Sequence, residues 1–72
     1  MNENLANFRT LRDFNNYALV SLASMIAEDC TIEEVADQAN LMNGIYQKLQ
    51  GMRPNEHAVV DLETGDVVMR EV

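Results

Sequence analysis

The chain has one cysteine, one proline, one histidine and five basic residues among its 72. Each scarcity excludes something. With Cys30 alone no intramolecular disulfide can form, and a reducing compartment suits such a chain. Cys30 and His57 are the only soft metal ligands, and they lie in different segments. Zinc needs three or four ligands at paired spacings, so no metal site is expected. A Cys–His nucleophile pair would also need a third group to orient the histidine. Cys30 is expected to pack as a small apolar residue and His57 to cap the start of a strand. No glycine-rich phosphate loop is present. Gly44, Gly51 and Gly65 read as a weak point in a helix, a helix C-cap and a turn. Paired carboxylates such as Glu33 and Glu34 lack the apolar surroundings that acid–base catalysis requires. The expectation is a protein that is not an enzyme, with no catalytic residues and no cofactor.

Long hydrophobic runs are missing too. The most apolar stretch, residues 17–27, contains serines and is too short to span a bilayer. The start, MNENLANFR, has no basic region followed by an apolar run, so no signal peptide is expected. A cytoplasmic protein without membrane contact is the expectation. Positive charge is scarce: twelve acids face five bases, for a net charge of −7. Binding to nucleic acid or anionic membranes relies on clustered Lys and Arg. The balance favours a protein partner, and one with a basic surface.

What the chain does have is apolar residues, 47% of the total. A domain this short buries only about 60% of its unfolded surface. A single domain over residues 1–72 with a thin stability margin follows. Lacking disulfide and metal, it is expected to gain from self-association as a homodimer.

The organising stretch is residues 31–50. Its apolar residues Ile32, Val35, Ala39, Met42, Tyr46 and Leu49 recur at steps of three and four, the seam of one amphipathic helix. Thr31 and Glu34 form a capping box signature, with Cys30 and Val35 placed as a hydrophobic staple. Gly51, in a left-handed C-cap, and Pro54 should end it. Asn40, Asn43 and Gly44 are weak helix formers in its middle. An earlier helix is expected over residues 4–27, capped by Asn4 after frayed polar residues. Its stripe is Leu5, Phe8, Leu11, Phe14, Ala18, Leu22 and Met25. Residues 17–27 are apolar nearly all round, more than one partner helix can cover. Leu19, Val20 and Ala23, beside or opposite the stripe, are the expected dimer interface.

A link of residues 28–30 makes the two helices antiparallel neighbours. Glu28, Asp29, Glu33, Glu34 and Asp37 then collect at the loop end, and Arg9, Arg12, Lys48 and Arg53 at the other. Glu33 and Glu34 compensate the dipole of the second helix, while Glu28 and Asp29 sit where cations are preferred. This acidic tip is the candidate partner-binding surface. Met25, Met42 and Met69 fall on apolar faces and read as core filling.

After Pro54, two strands are expected over residues 57–62 and 66–71, as a β-hairpin. A two-residue Thr64–Gly65 loop would put Val60, Leu62, Val67 and Met69 on one face but force Thr64 to positive φ. A three-residue loop with Gly65 in the bulge position avoids that strain. It groups Val60, Leu62 and Val68 on one face, and Val59, Val67 and Met69 on the other. Turn chemistry favours the second.

The fold class expected is α+β: an antiparallel two-helix hairpin followed by a C-terminal two-stranded β-hairpin. The functional expectation is a small acidic, non-catalytic protein-interaction module, an accessory or regulatory factor such as an inhibitor or adaptor. A second reading is a helix-turn-helix transcription regulator that binds DNA. Val35, Ala36, Ala39, Asn40, Leu41, Tyr46 and Leu49 have suitable spacings, with the turn at residues 40–44, but the reading helix would offer one base, Lys48. A third is a structural subunit of a larger assembly, joined through a strand edge.

Overall fold

A computed structural model describes residues 5–71. The element order is β1 (Leu5–Phe8), α1 (Leu11–Ala27), α2 (Ile32–Leu49), β2 (Glu56–Asp61) and β3 (Val67–Glu71). The class is α+β as expected, with one strand more. The three strands form an antiparallel sheet in the order β1-β2-β3. Two helices cover one of its faces.

The additional strand corrects the expected first helix. Leu5, Phe8, Leu11 and Phe14 are spaced by three, which imitates a helical stripe. The chain instead runs extended through Phe8, pairing Phe8 with Ala58 and Ala6 with Val60. The helix begins after Thr10, whose backbone is extended (φ −140°, ψ 160°) and whose hydroxyl accepts from the Asp13 N–H at 3.0 Å. That cap satisfies one of the donors that a helix start leaves without a partner. The expected cap, Asn4, lies outside the described residues.

α1 ends without a glycine. Cys30 N–H donates to Met25 O (3.1 Å) and Asp29 N–H to Ile26 O (3.2 Å), the paired bonds of a Schellman motif. Asp29 occupies its left-handed position at φ 61°, which aspartate tolerates better than most residues. α2 then starts on the expected capping box. The Glu34 N–H donates to Thr31 Oγ1 at 3.2 Å, and the Thr31 N–H reaches Glu34 Oε1 at 3.5 Å.

α2 runs unbroken to Leu49 through Asn40, Asn43 and Gly44. The burial of Met42, Ile45 and Leu49 on one face outweighs the poor propensity of that segment. Gly51 does not take the left-handed cap, because Gly65 is the one described glycine with positive φ. The helix unwinds through a Met52 N–H to Leu49 O bond (3.0 Å), and Glu56 accepts from the Arg53 N–H (3.0 Å). Gly44 is exposed, and a Cβ there would meet nothing within 4 Å. Gly44→Ala is therefore expected to raise stability by about 1 kcal/mol. A higher urea midpoint at unchanged slope would show it.

The hairpin register differs from the favoured expectation. Val60 pairs with Val67, Val59 with Val68 and Ala58 with Met69. Val60, Val67 and Met69 therefore share a face, the grouping assigned above to the two-residue loop. A four-residue loop, residues 62–65, achieves it without positive φ at Thr64. Asp61 organises this loop: its carboxylate accepts from the Glu63 and Thr64 N–H groups at 2.9 and 3.2 Å. Gly65 N–H then closes onto Asp61 O at 2.8 Å.

The core lies between sheet and helices. Phe8, Phe14, Ala18, Met42, Ile45, Leu49, Ala58 and Val60 are buried together. Phe8 anchors β1 by meeting the Phe14 ring edge-on, with centroids 5.1 Å apart at 90°. The other sheet face carries Leu5, Val59 and Val68, with Leu5 and Val68 about half exposed.

Candidate functional site

Where the core stops determines what the surface offers. In α1 the last side chain in or against the core is Ala18, and in α2 the first is Leu41. Nine residues of each helix lie beyond, a projection of about 14 Å at 1.5 Å per residue. The molecule is correspondingly elongated, 39 × 27 × 16 Å. The sheet has only five or six residues per long strand and cannot cover helices of 17 and 18 residues.

The projecting segment keeps large apolar side chains in water. Leu19 is 60% exposed, Val20 66%, Ile26 64% and Ile32 89%. Ala23 is exposed beside them. The expected dimer-interface residues Leu19, Val20 and Ala23 thus all stand on an open face of α1. Towards the core, a groove of about 260 Å³ runs between the helices, walled by Phe14, Ala18, Leu19 and Leu22 of α1 and Met42 and Tyr46 of α2, so Leu19 stands at its rim. The start of α1 therefore lies beside the end of α2.

The five expected acidic residues, Glu28, Asp29, Glu33, Glu34 and Asp37, are all exposed at this projecting end. Two have structural duties. Glu34 closes the capping box, and Asp29 holds the left-handed turn. Glu33 and Asp37 are one helical turn apart on α2. Glu33 is nine residues from Met42, two and a half turns, so it faces away from the groove. From residue 14 to residue 47 the chain carries no Lys, Arg or His. The bases stand at the far end. Arg9 and Arg53 border a hollow between the start of α1 and the end of α2. Lys48 donates to Gly65 O at 3.0 Å.

Cys30, half-buried, sits in the connection between the helices, and His57 in β2 with Nδ1 3.2 Å from Asn7 Oδ1. No group of three His, Cys, Asp or Glu that could hold a metal ion converges among the described residues. Among them no helix is long and apolar enough to cross a membrane. The turn that a helix-turn-helix would need at residues 40–44 is absent, since α2 is continuous there.

Sequence patterning located both the apolar patch and the acid cluster. How far the sheet reaches along the helices is not visible in the sequence, and with five or six residues per long strand it leaves this end uncovered. The chain matches no protein-family model, no curated protein and no solved structure.

Proposed function

We propose that the chain is a small, acidic, non-catalytic protein-interaction module, an accessory or regulatory factor of the inhibitor or adaptor kind. In this reading it works as a homodimer and takes a partner with a basic, amphipathic surface. One observation carries this reading: Leu19, Val20, Ile26 and Ile32 are 60–89% exposed on a segment that no part of the sheet covers. Fully burying one such side chain is worth about 1.5–3 kcal/mol, so this surface rewards contact. Its rim of Glu28, Glu33 and Asp37, with no base nearby, selects a basic partner and speeds its approach. The same charge opposes duplex DNA, whose binding draws on Lys and Arg contacts to phosphate.

The test is calorimetry with a synthetic amphipathic helix of leucine and lysine, and its counterpart with glutamate in place of lysine. The lysine peptide is expected to bind, more weakly as salt rises, and the glutamate peptide not to bind. Glu33→Lys with Asp37→Lys should weaken binding tenfold or more while circular dichroism stays unchanged. Equal binding of both peptides, or none by either, would contradict the proposal. Salt-sensitive binding of duplex DNA in its place would favour the transcription-regulator reading.

A further inference from the structure

The two ends of the helix pair are opposite in charge and in relief. Away from the connection lies the hollow of about 360 Å³ between the start of α1 and the end of α2. It exists because both helices stop there. Thr10 caps α1, and α2 ends at Leu49, short of Pro54, which has no N–H to continue a helix. Leu11, Leu49, Met52 and Pro54 wall the hollow, together with Arg9 and Arg53. No acid lines it. The nearby Glu56 carboxylate is occupied by the Arg53 backbone N–H at 3.0 Å. The connecting end is the converse. Ile32, the first residue of α2, is 89% exposed, more than any other large apolar residue described. Glu33 follows it, and Asp29 precedes it in a turn fixed at φ 61°.

We propose that Ile32 of one copy seats in the Leu11–Leu49–Met52–Pro54 hollow of a second copy, bringing the acids of the tip to that copy's Arg9 and Arg53. The proposal rests on the reading of the projecting end as a surface for a basic, amphipathic partner, and names the hollow of another copy as that partner. The contact cannot form within one chain, because Ile32 and Leu49 are the two ends of α2, about 25 Å apart at 1.5 Å per residue. Charge selects the occupant. From residue 14 to residue 47 the chain has no Lys, Arg or His, so the tip finds its counter-charge elsewhere. The hollow is where arginines and an apolar wall occur together, and opposite signs orient the approach. Size agrees. A water takes about 30 Å³ of liquid, and the hollow offers many times that, room for a branched side chain of four carbons. The contact joins two different surfaces, so each copy can both give a tip and accept one.

The test is sedimentation equilibrium of the full chain at physiological salt, where the net charge of −7 per copy is screened beyond about 8 Å. Two variants each remove one side of the contact. Ile32→Gln takes away the knob, and Arg9→Glu with Arg53→Glu reverses the charge of the hollow. All three side chains are exposed. The capping box uses Thr31 and Glu34, and the bond to Glu56 uses the Arg53 backbone, so circular dichroism should match the unsubstituted chain. The unsubstituted chain is expected to associate as its concentration rises. Each variant alone should show a dissociation constant raised tenfold or more. An equimolar mixture of the two should regain association, because the intact hollow of one accepts the intact Ile32 of the other. An unsubstituted chain that stays monomeric at high micromolar concentration would overturn the proposal. So would a variant that associates like the unsubstituted chain, or a mixture no more associated than its components. The peptide-binding reading stands if the lysine peptide binds a monomeric chain, and it alone fails if the chain associates in this way but the peptide does not bind.

Discussion

Phe14→Ala is expected to abolish cooperative folding at room temperature. Phe14 is 1% exposed and meets Phe8 edge-on at 5.1 Å, with Tyr17 at 6.4 Å. Truncating a buried phenylalanine typically costs about 3–5 kcal/mol. A domain below 80 residues seldom has more than about 3–5 kcal/mol in total. The single substitution therefore consumes the margin. The loss also reaches the sheet, because Phe8 of β1 packs on Phe14 as well as on Tyr17, whose ring lies 5.4 Å away. Urea unfolding followed by circular dichroism is the check, with a shallow transition expected for Phe14→Ala. Phe14→Leu, which keeps most of the volume, should retain a sigmoidal transition at a lower midpoint. A midpoint for Phe14→Ala near that of the unsubstituted chain would mean that the core does not depend on this ring.

Gly65→Val is the second large effect. Gly65 has φ +83°, a conformation that β-branched residues strongly resist. It is also buried, and an added Cβ would come within 2.9 Å of Leu41 Cδ1. The left-handed backbone costs about 1–2 kcal/mol and the crowding about 1–3 kcal/mol, so about 3 kcal/mol is expected. Gly65→Ala should cost less, because the Leu41 side chain can give way. Combining Gly65→Ala with Leu41→Ala separates the two contributions. If crowding matters, the pair should lose less stability than the sum of the singles. Strict additivity would assign the whole cost to the backbone.

The parts of the fold that were legible in the sequence are those set by local chemistry. The Thr31–Glu34 capping box and the three- and four-residue spacing announce α2 without reference to anything distant, but the seam is only partly the buried face: Ile32 is 89% exposed, and Ile45, which the seam omits, is 1% exposed. The Glu63-Thr64-Gly65 segment marks the hairpin for the same reason. The failures are long-range. β1 has four residues, too few for alternation to show, and its pairing partners lie some fifty positions away. Its Phe8 fits a helical step of three from Leu5 and Leu11, while Thr10, the true cap, has its signal hidden inside that stripe. The hairpin register turned on the Asp61 carboxylate, which stabilises a loop longer than the turn residues alone suggest.

The candidate surface divides in the same way. The excess of apolar residues over residues 17–27 was visible as composition, and so was the run of acids after it. Their functional weights were legible only in part. Glu34 was marked in the sequence by its capping box, whereas nothing there set Asp29 aside as the residue that takes the left-handed turn.

The most direct measurement is amide shift mapping of the full chain by NMR during titration with the leucine–lysine peptide. If the projecting end of the helix pair is the docking surface, the shifts should concentrate between Ile26 and Asp37 and leave β1, β2 and β3 silent. Shifts centred on Leu5, Val59 and Val68, or none at saturating peptide, would contradict the account.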